Sequence, residues 1–343
     1  MEVDAASANG PHRIQELWFE DGNLVIQAGN KQYRVYRGVL AMHSPVFQDM
    51  FSFPQPPGSH LVEGCPLVNL PDSEVEVTSF LRAIFDSSFF MSFPAPTQFD
   101  IVVGVLRLSH KYGVDYLRRR ALVHLSSAYQ TTLSECDDSS YYGDESDPSC
   151  PASLIRSWEW PDDPAYYLVS VHLAREVDAP WILPYAFYCL ASAYPRKLGV
   201  AVYHGAVYNG VSITLSMQDQ QTLVLGHTKQ NASSAVDILR FLSYPPKLKG
   251  CASPEKCFSE RLQAMENNRE NLRLSCGHPL GLWDDDEWEW LENLCPACLA
   301  ALKKTHENAR QAFWDELPEI YALPSWEELE NLKVAAIGTN LFC

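Results

Sequence analysis

Basic residues are scarce in this chain: 26 Lys and Arg stand against 43 Asp and Glu, a formal charge of −17. A surface of that sign repels phosphate backbones and anionic lipid headgroups, so neither nucleic acid nor a membrane is an expected partner. Long apolar runs are missing too. The longest near-apolar stretch, 182–194, falls short of the roughly 20 residues a helix needs to cross a bilayer. The opening MEVDAASANGPHRIQ lacks the basic start and apolar core of a secretory signal, which points to a cytoplasmic or nuclear location. There is no G-x-S-x-G, no phosphate-binding loop and no Gly-rich turn after a strand. No active site emerges from the motifs, and the chain is expected not to be an enzyme.

What is present is a globular composition. A 46% hydrophobic content over 343 residues allows two or three domains with real cores. Ten cysteines in a reducing compartment read as free thiols or metal ligands, not as disulfides.

The most informative stretch is 19–51, FEDGNLVIQAGNKQYRVYRGVLAMHSPVFQDMF. Leu24, Ile26 and Ala28 alternate with Val25 and Gln27. Gly29-Asn30 offers a turn, and Tyr33 and Val35 alternate with Arg34 and Tyr36, the pattern of a hairpin with one buried face. A short helix begins at Val39-Leu40. Ser44-Pro45 then starts a second one, the Ser accepting from a free N–H and Pro sitting where no N–H is needed. After a Pro-rich loop, 67–70 reads as a strand. Glu74 to Asp86 carries Val77, Phe80, Leu81, Ile84 and Phe85 at helical spacing. Two further helices follow at 101–112 and 115–133. Within this span Leu40, Phe47, Phe80 and Ile84 are expected to be buried.

The phrase V-x-R-x-x-L-x-x-x-S-P-V-F-x-x-M-F after a hairpin, with L-R-L-S-H-K-Y-G-V-D-Y-L further on, resembles the BTB/POZ domain. Tyr36 stands where the family usually has a packing His. The resemblance covers 14–133 and implies an α/β protein-interaction domain that forms homodimers or docks a cullin-type ubiquitin ligase. Met50, Phe51 and Phe53, consecutive apolar groups before a loop poorly suited to cover them, are the candidate interaction residues.

The organisation that follows is α+β: a disordered leader at 1–13, a BTB/POZ-like domain at 14–133, and an acidic disordered linker at 134–151. A helical extension at 152–250 and a cysteine-containing helical region at 251–343 complete it. The linker rests on six acidic and no basic residues in 134–150. The extension resembles the general arrangement of fungal BTB proteins. Cys189, inside the apolar run L-P-Y-A-F-Y-C-L-A, reads as a small core residue and not as a nucleophile.

The last region holds the one constellation with metal chemistry. Cys276-Gly277-His278 precedes Cys295-Pro296-Ala297-Cys298, and these pairs could close a tetrahedral structural zinc site from Cys276, His278, Cys295 and Cys298. Cys251 and Cys257 are substitutes or a partial second set. Free cysteines in a helical core are the other reading. His306, on the apolar stripe of the helix opened by Pro296, reads as a core histidine. Three Trp among five acids at 283–290 read as packed rings with solvated carboxylates, since glycoside hydrolysis needs two carboxyls held apart across a substrate.

Function is therefore expected to be protein–protein interaction, as a self-associating scaffold or a substrate adaptor. The alternative is a BTB transcriptional co-regulator with a structural zinc module, although the basic stripe of a DNA-binding protein is absent.

Overall fold

The computed structural model describes residues 10–53, 60–140, 164–193, 195–275 and 277–339. They fall into two compact units, one built on the chain up to Ala128 and the other on the chain from Tyr129 to Ala335.

The first unit runs β1 (His12–Trp18), β2 (Leu24–Ala28), β3 (Lys31–Val35), α1 (Arg37–His43), α2 (Pro45–Ser52), β4 (Leu61–Val62), β5 (Cys65–Leu70), α3 (Glu74–Phe85), α4 (Phe99–Tyr112) and α5 (Asp115–Ser126). Its sheet has the order β1-β3-β2-β5-β4. β2 and β3 form the expected antiparallel hairpin, turning at Gly29, whose φ of +54° suits a residue without Cβ. β5 lies parallel to β2, with Val25 opposite Leu67, because α1 and α2 carry the chain across between them. β2 is thus a central strand. Val25 is buried along with Leu24, Ile26 and Ala28, where alternation had indicated one buried face only. β1 begins at His12, which pairs with Lys31, so the end of the expected leader is already strand; residues 1–9 lie outside the described ones.

The helices follow local rules. The Ser44 side chain accepts from Phe47 N at 3.0 Å, and Pro45 opens α2. α3 buries Val77, Phe80 and Leu81 against α4, while Ile84, near its end, is only half-buried. The two helices approach closely at Gly104, where a Cβ would stand 3.0 Å from Glu76 Cα.

The second unit is mainly helical. It contains α6 (Leu133–Ser140), α7 (Pro164–Glu176), α8 (Leu183–Ala191), α9 (Pro195–Tyr203), a small hairpin of β6 (Ala206–Tyr208) and β7 (Val211–Ile213), α10 (Met217–Ser233), α11 (Arg240–Ser243), α12 (Pro254–Asn267), α13 (Arg269–Ser275), α14 (Asp285–Glu289), α15 (Pro296–Ile320) and most of α16 (Trp326–Ile337). α6 corrects the start of the acidic linker. Leu133 and Cys136, three apart on one face, are buried, and Asp137 takes the Arg310 guanidinium, Nη1 to Oδ2 at 3.0 Å. The remainder of the linker, from 141, lies outside the described residues.

The core of this unit is aromatic. Phe187 stacks on Tyr321 with centroids 5.3 Å apart, and the Tyr321 hydroxyl donates to Gln230 Oε1 at 2.6 Å. Trp314 stacks on Trp326 at 5.4 Å and donates from its indole N–H to the Thr131 carbonyl at 3.3 Å. Among the described residues no helix is long and apolar enough to cross a membrane.

Candidate functional site

Among the described residues, two places stand out. In the first unit it is the corner where α1 and α2 meet the start of α5. Gly113, in the left-handed region at φ +68°, ends α4 so tightly that a Cβ there would be 3.1 Å from Pro45 Cγ. The rings of His43 and Tyr116 lie 5.2 Å apart. This corner leaves Met42 72% exposed, with Val46 and Tyr116 also open to solvent.

At the far end of α2 the three candidate interaction residues separate. Phe53 is 69% exposed, Met50 is half-buried, and Phe51 is only 6% exposed. Phe51 is thereby corrected to a core residue. Its ring packs 5.7 Å from Phe47 and lies under the Arg37 guanidinium at 5.2 Å, because position 51 is one turn after 47 on the inward face of α2. Tyr36, the departure from the family pattern, donates to Asp21 Oδ1 at 2.5 Å and packs its ring 5.0 Å from Phe19.

In the second unit the cysteines converge. Cys251, Cys257, Cys295 and Cys298 place their sulfurs all within 4.8 Å of one another, with Cys251 and Cys295 at 3.9 Å. The chain brings them together through two helix starts. Cys295 is the cap residue of α15, followed by Pro296 and then Cys298 in the first turn. Cys251 precedes Ser253-Pro254, which open α12, and Cys257 lies in its second turn. Helix N-termini hold free N–H groups and a partial positive charge, both of which favour thiolates. Backbone N–H groups of Ala252 and Cys298 aimed at the Cys295 sulfur hold its thiol well below the usual range. Burial pushes the Cys298 thiol up.

The group shares Cys295 and Cys298 with the set read from the sequence and has Cys251 and Cys257 in place of the other two. His278 is not in it; its ring sits 5.4 Å from Tyr188, in the turn where Pro279 opens a short helical stretch. Cys276 lies outside the described residues. The C-x-x-C and the Pro at a helix start were the legible signal. That Cys251 and Cys257 are its neighbours follows from the packing of α11 against α12 and α15.

A cleft of roughly 700 Å³ lies beside α15, lined by Tyr188, Trp283, Trp288, Asp137 and Arg310 among others. Several of its polar groups are engaged within the unit, although Trp283 Nε1, His306 Nε2 and Arg310 Nε are buried without a hydrogen-bond partner. Arg310 pairs with Asp137. Glu287, pushed up by burial and by its contact with Asp284, accepts from Asp284 N at 3.0 Å and completes a capping box on α14. His306 is buried against Phe241 and Trp288, centroids 5.2 and 5.7 Å away, and burial together with the Arg310 charge pushes it down to about 4. It is neutral at physiological pH. Trp283 is buried, and Asp284–Asp286 follow it on the surface.

A family model for the BTB/POZ domain matches residues 19–128. No curated protein and no solved structure matches the chain. The matched span takes in the β2–β3 hairpin, the Ser44-capped α2 and the paired α3 and α4. Such domains generally serve protein–protein interaction and dimerisation. Residues 19–128 are thus a BTB/POZ domain, an interaction module ahead of a mainly helical unit.

Proposed function

We propose that this protein is an interaction scaffold that self-associates through its BTB/POZ domain and links its helical unit to a further protein partner. The observation that carries this reading is the exposed apolar surface of the domain: Met42, Val46 and Tyr116 at the α1–α2–α5 corner, and Phe53 just past α2. Large apolar groups left open on a small domain mark a partner surface more often than an accident. Role as an adaptor for a cullin-type ubiquitin ligase is the finer form of the same reading, with a cullin in place of the second copy.

The co-regulator reading gains nothing from the second unit. Arg310 pairs with Asp137, Lys304 with Glu307 at 3.4 Å, and the Lys303 ammonium lies over the Trp288 ring at 5.4 Å. These cations are engaged within the unit and make no basic stripe for DNA.

Sedimentation of the full-length protein at micromolar concentration is expected to show a dimer. A clean monomer across a wide concentration range rejects the scaffold. Affinity capture with the same protein separates the two forms: recovery of a cullin supports the adaptor, and recovery of the chain's own second copy alone supports the scaffold.

A further inference from the structure

We propose that Cys251, Cys257, Cys295 and Cys298 bind one zinc ion as a closed tetrathiolate, and that this ion staples the start of α12 to the start of α15. A tetrahedral site with Zn–S bonds of about 2.3 Å sets its sulfurs about 3.8 Å apart. The 3.9 Å between Cys251 and Cys295 and the 4.8 Å limit over all four sulfurs match that geometry. They leave room for one ion and none for a multi-iron cluster. Four soft thiolates in tetrahedral arrangement select zinc over the hard cations that carboxylates and carbonyls hold.

The second observation is electrostatic and comes from a residue that is not a ligand. Arg261 lies one turn after Cys257 on the same face of α12 and is 1% exposed. Its guanidinium donates to the Pro245 carbonyl at 2.8 Å and the Phe241 carbonyl at 2.6 Å, and its Nε–H has no partner. No carboxylate pairs with it among the described residues. Two carbonyl dipoles and the face of the Phe258 ring, 5.4 Å from the guanidinium carbon, answer this buried cation without a full counter-charge, which is costly. Binding zinc removes four thiol protons to solvent and leaves a centre of net charge two minus, within electrostatic reach of Arg261 through Cys298, Cys257 and Cys251. The buried guanidinium then has its counter-charge.

All four positions belong to protein sulfur, so no position is left for an activated water, and the ion is structural. Its binding energy becomes folding energy for the second unit, since the ligands come from sequence-distant segments that only the folded chain brings together.

The test uses the full-length protein purified under reducing conditions. Metal analysis is expected to find about one zinc ion per chain. The Cys251→Ser/Cys257→Ser variant is expected to lose it, whereas Cys276→Ser/His278→Ala keeps it. The reverse pattern assigns the metal to the other set and overturns the proposal, as does wild-type protein that carries no zinc or carries iron. Because loss of the ligands can unfold the unit, a second measurement uses wild-type protein alone. After chelation, cobalt(II) added in place of zinc is expected to give the thiolate-to-metal charge-transfer band and the intense visible bands of a tetrahedral tetrathiolate. A spectrum lacking thiolate charge transfer overturns the site.

Discussion

The Ser44 hydroxyl donates to the Tyr112 carbonyl at the end of α4 while accepting from Phe47 N–H at the start of α2. One buried side chain thus caps one helix and satisfies the terminus of another, 68 residues away in sequence. Ser44→Ala removes both bonds. The lost cap costs about 1 kcal/mol, and the stranded carbonyl adds a further 1–3 kcal/mol at most, roughly. Urea unfolding of the variant is expected to show a lower midpoint at unchanged slope.

Phe47, directly beneath that cap, is fully buried between Phe51 and Tyr112, with ring centroids 5.7 and 4.6 Å away. Truncation to Ala leaves a cavity that its packed neighbours on α2 and α4 cannot fill. The expected loss is about 3–5 kcal/mol. A loss below ~1 kcal/mol by chemical denaturation contradicts this packing.

Phe53 tests the partner surface without touching the core. Phe53→Asp changes a side chain that is 69% exposed, so thermal stability is expected to move by no more than about 0.5 kcal/mol. Sedimentation is nonetheless expected to shift towards monomer. Unchanged association removes Phe53 from the interface.

His306 gives the second unit a predictable response to acid. Its folded-state value of about 4 lies below the ordinary 6.5, so between those values the unfolded chain binds more protons than the folded one. Stability from this residue is complete above pH ~6.5 and is lost as pH falls towards 4, on the order of 2–3 kcal/mol in all. His306→Phe, placed between Phe241 and Trp288, is expected to remove that part of the dependence. Parallel wild-type and variant unfolding curves from pH 7 to about 4 would refute it.

Gly226 on α10 lies under the buried Tyr321 ring, and a Cβ there would meet Cε1 at 2.1 Å. Gly226→Ala forces the ring away from Phe187 and from its hydrogen bond to Gln230. The expected cost is at least about 1–3 kcal/mol, measured by denaturation, although Ala is the better helix former.

Short-range features of this protein were written in its residue spacing. The hairpin at Gly29-Asn30, the Ser44-Pro45 start of α2, the inward stripe of α3 and the opening of α15 at Pro296 each depend on residues within one or two turns of each other. The same rules hold for β6 and β7, whose turn at Asn209-Gly210 uses two positive-φ residues; the dipeptide was a hairpin signal, but strands of three residues carry too little periodicity to be seen.

Tertiary structure decided what spacing leaves open. Val25 is buried because β5 arrives beside β2 from forty residues further on and makes it a central strand, which alternation within β2 cannot report. Phe51 is inside and Phe53 outside because the end of α2 falls between them, and a helix end shifts by a residue without changing the composition around it. Cys295 and Cys298 announced themselves as a pair, whereas Cys251 with Cys257 and Cys276 with His278 were both within the chain's reach of them. Loop closure costs nearly the same for either choice, since it grows only slowly with length. The packing of α11 and α12 against one another, and of α11 against α15, brings Cys251 and Cys257 to the other pair's sulfurs, and that is a property of buried surfaces that no local pattern encodes.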